Sequence, residues 1–205
     1  MKRNNSYLLD LIKSQKDNFS LDQSFYTNKS IFEMDLKTFF FNQWVFVGHI
    51  SRIKNKGDYF LFSIGEESII IIRENEDKIN AFYNVCRHRG SHICLEEEGR
   101  VRKFVCPYHA WNYDLSGKLL KARMMDDNFK PKNWSLKKCN CIVFEGLIFI
   151  NLSENASDFK DFINPIKGFI KLHGLGKAKI AARKIYPTKG NWKLTLDNFH
   201  ECYHC

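Results

Sequence analysis

The sequence lacks any long apolar run: nothing in its 205 residues approaches the about 20 consecutive apolar residues that a bilayer-spanning helix needs. Two positive charges stand near its start, but the apolar positions Leu8–Ile12 are interrupted by Asp10, so no secretory signal is predicted. Internal repeats and low-complexity tracts are absent too. We therefore expect a globular protein that associates with no membrane and lies in the cytoplasm.

The charge balance is basic, with 32 Lys and Arg against 23 Asp and Glu and a formal net charge of +9. Proteins that bind nucleic acid cluster their cations, whereas the lysines here are scattered along the sequence. We therefore expect no nucleic-acid partner. The simplest interpretation is a general enrichment in lysine, and a basic face that docks an acidic protein is the alternative.

The composition provides material for a core and for metal chemistry. Hydrophobic residues make up 44% of the chain, and the 18 Phe are interpreted as packing residues. The length suits one large domain, or one domain and part of another. The seven cysteines, in a chain expected to be cytoplasmic, indicate metal binding or catalysis before disulfides.

The residue pattern changes from helical to strand-like and back along the sequence, which predicts three regions. Residues 1–41 predict an N-terminal arm with helical pieces, including a short helix capped by Asp35 that runs to Phe41. Residues 42–155 predict an all-β sandwich or barrel, because short strand patterns alternate with turn signals. The predicted strands are Trp44–Ile50, Tyr59–Ile64, Ser68–Arg73, Ile79–Val85, Lys103–Val105, Trp111–Asp114 and Cys141–Asn151.

The third region, residues 156–205, begins with a helical pattern. A cap at Ser157 predicts a helix that runs to about His173, where Gly174 stops it. The stretch Ala178–Tyr186 predicts a strand. A second helix is predicted to open at Asn191 and to continue to Cys205.

Four residues in the β region have the spacing of metal ligands. Cys86 and His88 form a Cys-x-His pair, and 17 residues later Cys106 and His109 form a Cys-x-x-His pair. Each pair ends a predicted strand, so two loops can face each other across a metal. Histidine in place of two thiolates on one iron of a [2Fe–2S] cluster raises its potential. The spacing predicts such a Rieske-type cluster, with the cysteines on the inner iron and the neutral imidazoles on the outer one.

The surroundings favour the cluster over a zinc site. Structural zinc also takes two Cys and two His, but usually as Cys-x₂₋₄-Cys with His-x₃₋₅-His. Gly90 and Pro107 predict tight loops, and Tyr108 and Trp111 can shield the site. Tyr113 is predicted to donate a hydrogen bond to a cysteine sulfur, a kind of contact that tunes metal centres.

A second motif lies at the end of the sequence. His200, Glu201 and His204 match H-E-x-x-H, the helical pattern of zinc proteases. A pattern of five residues occurs often by chance, and a hydrolase has no use for a redox cluster upstream. A zinc hydrolase is therefore the lesser alternative.

The residues around the cluster motifs, Asn84–Ser91 and Cys106–Trp111, resemble the Rieske domain of ring-hydroxylating oxygenase large (alpha) subunits. This family usually has Gly where the sequence has Ala110. The segment Asn191–Cys205 resembles the start of the family's catalytic domain, and the resemblance begins at about Phe39. It implies a mainly β fold: a Rieske [2Fe–2S] domain of short antiparallel strands, followed by the start of an α+β catalytic domain. Three further cysteines, Cys94, Cys139 and Cys141, are interpreted as packing residues.

The resemblance also implies roles near the end of the chain. His204 would be the first ligand of a mononuclear Fe(II) held by two histidines and one carboxylate, which leaves positions open for O₂ and substrate. Glu201, one turn earlier on the same predicted helical face, would link this iron to the cluster of a neighbouring subunit. Asn198 lies one turn before Glu201 in the same catalytic set, and His200 would be no ligand.

The activity that the resemblance implies is that of a Rieske mono- or dioxygenase. Electrons would come from NAD(P)H through a reductase or ferredoxin, and O₂ and a small organic substrate would react by hydroxylation or oxidative demethylation. The motifs look closest to members that oxidise quaternary ammonium compounds such as betaines and carnitine, with aromatic rings as the runner-up. A homotrimer is implied for the full-length form.

The family's remaining iron ligands would lie beyond position 205. We therefore expect an N-terminal fragment that is not catalytically complete by itself. A free-standing Rieske electron carrier is the alternative.

Overall fold

The computed structural model describes residues 2–123, 125–126 and 128–201, without the side chains of residues 2–6. The chain divides into two compact units: one spans Phe40–Arg183, and the other combines residues 1–39 with residues 184–205. No helix among the described residues is both long and apolar enough to cross a membrane.

The larger unit is mainly β, as predicted, and its paired strands are antiparallel. Its strands are β1 Val45–His49, β2 Asp58–Ile64, β3 Glu67–Arg73, β4 Ile79–Tyr83, β5 Glu98–Arg100, β6 Phe104–Val105, β7 Asn112–Tyr113, β8 Leu119–Lys121, β9 Lys138–Phe144 and β10 Leu147–Asn151. Seven of them form one sheet in the order β1-β10-β9-β4-β3-β2-β5, and three form a second sheet in the order β6-β7-β8.

Strand β3 shows how the sequence fills both faces of the larger sheet. Successive side chains on a strand point to opposite faces, so Ile69 and Ile71 enter one core cluster while Ile70 and Ile72 enter another. The second of these clusters also takes residues from the smaller sheet, among them Phe104. It therefore packs the two sheets together, and it contains the cysteines of both metal-binding motifs.

The strand predictions hold except in three places. The predicted strand Cys141–Asn151 is a hairpin of β9 and β10, which turns at Glu145 and Gly146, both with positive φ. Strands β5 and β8 were not predicted. The residues of β5 are all exposed, so this strand carries no buried alternating positions that would mark it.

The single helix predicted from Ser157 to His173 is wrong, because two short helices occur instead. Helix α4 spans Phe159–Ile163 and helix α5 spans Lys167–Leu172. The cap of α4 is Asp158, whose side chain accepts from the N–H of Lys160 at 2.9 Å. Pro165 between the helices has no N–H to continue the ladder.

The strand predicted for Ala178–Tyr186 is also wrong. A 3₁₀ turn at Leu175–Lys177 leads into a stretch without strand or helix that reaches α6. Its side chains are exposed throughout. Residues 178–186 pair with no strand in the part of the chain that the structure describes.

The smaller unit is helical. It comprises α1 Lys2–Ser14, α2 Ser24–Thr27, α3 Lys29–Asp35 and α6 Trp192–His200. The predicted cap at Asp35 is wrong: α3 is capped by Asn28, whose side chain accepts from the N–H of Ser30 at 2.9 Å, and Asp35 is its last residue. A π-helical turn, Leu36–Phe40, follows directly.

Asp35 instead forms a buried ion pair with Lys193 of α6. Its carboxylate also accepts from the indole N–H of Trp192 at 3.2 Å. As predicted, α6 opens at Asn191, whose side chain caps it by accepting from the N–H of Lys193 at 3.1 Å. The pair ties the end of α3 to the beginning of α6 inside this unit.

Candidate metal centre

The two predicted ligand pairs lie on loops of the same construction. The first ligand loop, Cys86–Ser91, follows β4, and the second, Cys106–Trp111, connects β6 to β7. In each loop the N–H of the cysteine donates to the carbonyl five residues later, at 2.8 and 2.9 Å. The carbonyl of the cysteine accepts from the N–H four residues later, at 3.0 Å in both loops. Each loop therefore closes tightly on its own cysteine.

The fifth position of each loop lies in the left-handed region. Gly90 has φ of +73° and Ala110 has φ of +55°. A left-handed conformation suits glycine but strains a residue with a Cβ. The positive φ at this position thus explains why the oxygenase family usually has glycine in place of Ala110.

Exchanging these two residues is expected to have opposite effects on stability. Ala110→Gly releases about 1–2 kcal/mol of left-handed strain, less about 0.4–1 kcal/mol for the greater freedom of glycine in the unfolded chain. A gain of up to about 1.6 kcal/mol in the free energy of unfolding should follow. Gly90→Ala should lower it by up to a similar amount, because the added Cβ meets nothing within 4 Å and the added left-handed strain outweighs the stabilising loss of freedom in the unfolded chain. Urea denaturation measures both variants, and a stabilising Gly90→Ala would contradict this account.

The two histidines bring one ring nitrogen each next to the other. The Nδ1 atoms of His88 and His109 are 3.1 Å apart, with the rings at 75° to each other. Two nitrogens bound to one tetrahedral metal at about 2.0–2.1 Å would be about 3.3 Å apart. The histidine pair therefore fits one metal ion.

The cysteines lie on the inner side of the histidines. Cys86 and Cys106 are each 2% exposed, whereas His88 is half-buried and His109 is exposed. This order of exposure agrees with the imidazoles as the outer ligands, and the ligand roles themselves stay predictions. No three His, Cys, Asp or Glu side chains converge on one point among the described residues, and a binuclear cluster requires no such convergence because each iron takes two protein ligands.

Tyr113 lies against the inner pair, as predicted. Its Oη is 3.3 Å from the Sγ of Cys86 and accepts from the N–H of Arg87 at 3.2 Å, so its own O–H is left to donate to the sulfur. Burial raises the pKa of the Cys86 thiol, and the hydrogen bond from Tyr113 opposes that rise. A metal cation bound at this sulfur would stabilise the thiolate and so favour the deprotonated form of Cys86.

The aromatic neighbours shield one histidine but not the other. Trp111 is 1% exposed and stacks on His88 with ring centroids 4.8 Å apart and planes at 11°. Tyr108 contacts His109 at 3.8 Å between centroids but is 62% exposed. The indole N–H of Trp111 is buried and has no hydrogen-bond partner within the described part of the chain. A buried donor left unpaired next to the ligands indicates a site that the polypeptide does not complete by itself.

The other cysteines that the structure describes are free and lie among core side chains. Cys94 and Cys139 are buried in the two large clusters, and Cys141 is half-buried. Burial raises the pKa of Cys94 and Cys139 to about 12. Thiols with so high a pKa are unreactive at neutral pH, in agreement with their interpretation as packing residues.

Two of the three C-terminal candidates lie at the end of α6 within the described residues. Asn198 is exposed on α6, but the helix ends at His200, and Glu201 has ψ of 95° outside it. The premise that Glu201 continues the helical face is therefore not met. His204 lies outside the described residues. The catalytic roles of Asn198, Glu201 and His204 stay predictions.

Asn84 is a residue to which the sequence analysis gave no role. It is fully buried at the end of β4, two residues before Cys86. The available signal was a polar residue directly after a buried strand and next to a ligand.

Comparison with known proteins agrees with this site. Residues 43–139 match the family model of the Rieske [2Fe-2S] domain. The glycine betaine monooxygenase oxygenase subunit of Pseudomonas aeruginosa is 39% identical over 197 residues, which cover 96% of this chain and 46% of the relative. The carnitine monooxygenase oxygenase subunit of Acinetobacter baumannii is 37% identical over 191 residues, covering 88% of this chain and 50% of the relative.

Solved structures give the same result. A quaternary ammonium Rieske monooxygenase in complex with L-carnitine is similar with a TM-score of 0.81 and 36% identity, covering 89% of this chain and 53% of the other. The chain thus spans about half the length of the curated relatives it matches. The ligand spacing, the paired loops and these similarities lead to one conclusion: the chain carries a Rieske [2Fe-2S] domain at residues 43–139 and is similar to Rieske monooxygenase oxygenase subunits over 88–96% of its own length.

Proposed function

We propose that this chain provides the electron-accepting part of an oxygenase that oxidises a quaternary ammonium compound. The observation that carries the proposal is the pair of histidine nitrogens, 3.1 Å apart, at the solvent edge of two buried cysteines. This arrangement suits a group that is anchored in the core and exchanges electrons at the surface.

Each side chain of the site has a task in this proposal. Cys86 and Cys106 would hold the inner iron, and His88 and His109 the outer iron. When bound, a [2Fe–2S] cluster takes up and gives off one electron at a time. The exposed ring of His109 gives the partner protein access, while Trp111 keeps water from one face of His88.

The remainder of the proposal concerns the whole protein. Electrons would come from NAD(P)H through a reductase or ferredoxin, and a mononuclear Fe(II) with His204 as one ligand would use them with O₂. A homotrimer would bring the cluster of one subunit to the iron of the next, with Glu201 and Asn198 between them. The names of the similar monooxygenases, which act on glycine betaine and carnitine, support a quaternary ammonium substrate, and a cytoplasmic location stays part of the proposal.

The first test is the content of the metal site. Purified without oxygen, the protein should contain about two irons and about two labile sulfides per chain, since each iron takes two of the four ligands. Reduction should give a rhombic EPR signal. Stoichiometric zinc without sulfide would contradict the proposal and favour the zinc alternative.

The substrate class is tested with a chain that spans the full length of the relatives. Together with a reductase and NAD(P)H, it should consume O₂ in the presence of glycine betaine or carnitine and release an oxidised product. Turnover of an aromatic hydrocarbon, with none of either quaternary ammonium compound, would reverse the choice between the two classes.

A further inference from the structure

The side chain of Asn84 makes four hydrogen bonds although it is fully buried. Its Nδ2 donates to the carbonyl of Cys94 at 2.8 Å and to the hydroxyl of Ser68 at 3.2 Å. Its Oδ1 accepts from the backbone N–H of Ile93 at 3.0 Å and from that of Cys94 at 2.9 Å. A carboxamide has two N–H donors and two lone pairs, so the group is fully satisfied.

These bonds fix both ends of the first ligand loop. Asn84 precedes the loop by two residues, and its own N–H donates to the carbonyl of Ser68 on the neighbouring strand β3 at 2.8 Å. The chain leaves the loop through Ser91 and then passes Ile93 and Cys94, which the amide holds. One side chain thus ties the entry and the exit of the loop to the sheet.

Few other side chains could replace this amide. Aspartate keeps the two acceptor contacts but loses both donors and brings a charge into a buried site. Alanine leaves the two backbone N–H groups of Ile93 and Cys94 without their partner, at a cost of about 1–3 kcal/mol for a buried unpaired group.

We propose that Asn84 is the positioning residue of the first ligand loop, and that it determines how firmly the protein retains its cluster. The inference rests on the [2Fe–2S] site proposed above. Groups that orient metal ligands without touching the metal change metal affinity by about 10–100-fold when removed. Asn84 acts in this way through the backbone around Cys86 and His88.

Asn151 provides a matched control within the same unit. It too is fully buried at the end of a strand. Its amide donates to the carbonyl of Asn42 at 3.0 Å and accepts from the N–H of Ser153 at 2.8 Å. None of its partners lies on a ligand loop, so removing it tests the loss of a buried amide alone.

The experiment compares Asn84→Ala with Asn151→Ala in the cluster-loaded protein. Iron release to a chelator should be faster by about tenfold or more for Asn84→Ala and nearly unchanged for Asn151→Ala. Hydrogen exchange of the backbone amides at Ile93 and Cys94 should accelerate only in the Asn84 variant. Equal release of iron from both variants would overturn the proposal, because the effect would then be general destabilisation.

Asn84→Asp keeps the proposal testable if Asn84→Ala fails to fold. The aspartate keeps an acceptor for the N–H groups of Ile93 and Cys94. The rate of iron release from this variant should therefore lie between that of the wild type and that of a protein that does not retain its cluster. Iron release equal to wild type, with unchanged exchange at Ile93 and Cys94, would also overturn the proposal. Wild-type protein purified without iron and sulfide would refute the proposed [2Fe–2S] site. Amide exchange at Ile93 and Cys94 that depends on Asn84 would even then support the positioning of the first ligand loop by Asn84, so the two proposals can fail separately.

Discussion

Replacing Cys106 with alanine is expected to leave the protein without its [2Fe–2S] cluster. The side chain is 2% exposed and stands with Cys86 on the inner side of the histidine pair. A cluster that loses one of its two inner thiolates has no replacement ligand there. Iron and labile sulfide should fall to background, and the visible absorption of the cluster should disappear with them.

Cys94→Ala is the control for this experiment. Cys94 is buried in the same core cluster as Cys106, so its removal leaves a similar cavity without removing a ligand. It should keep full iron and sulfide content. Equal loss of iron from both variants would mean that packing, rather than ligation, explains the result at Cys106.

Removing one partner of the buried ion pair should strongly destabilise the smaller unit. The side chains of Asp35 and Lys193 are 8% and 9% exposed, and loss of either leaves a buried charge unpaired, at a cost of about 3–5 kcal/mol. Lys193→Met is therefore expected to lower the free energy of unfolding by this amount and to speed hydrogen exchange in α3 and α6. The double variant Asp35→Leu with Lys193→Met should recover most of the loss, because it leaves no charge behind.

Lys29→Met provides the comparison at the surface. Lys29 and Glu33 are 4.0 Å apart on the exposed side of α3, with side chains 90% and 54% exposed. Pairs of this kind contribute about 0.3–0.5 kcal/mol. A Lys193→Met variant no less stable than Lys29→Met would show that burial does not decide the energy of the Asp35–Lys193 pair.

The parts of the structure that were predictable depend on residues close together in sequence. The run Ile69–Ile72 predicts a strand by composition alone, and the ligand spacing places Cys86 and Cys106 after strands without any knowledge of the sheet order. The hydrogen bond between Tyr113 and Cys86 is an exception, because it joins residues 27 positions apart and its prediction needed the two ligand loops to face each other.

The errors arise where distant residues or breaks in a helix decide. The sequence around Asp35 predicts a helix cap because such residues favour that position, but its ion-pair partner Lys193 lies 158 positions away. The helix pattern after Ser157 has the right period, yet Pro165 divides it. The hydrogen bonds of Asn84 are not predictable from the sequence, because its partners on β3 and beyond the first ligand loop become neighbours only when the sheet forms.

The position of the ligand loops on two different sheets has a mechanical consequence. The first loop follows a strand of the seven-stranded sheet and the second belongs to the three-stranded sheet, with Cys86 and Cys106 separated by 20 positions in the chain. A cluster bound by both is a cross-link, which in the chain-entropy description of a loop of this size is worth about 3 kcal/mol. Assembly of the cluster and folding of the domain are therefore one coupled equilibrium. A shortage of iron and sulfide is therefore expected to lower the folded fraction of this protein, as well as the fraction that can carry electrons.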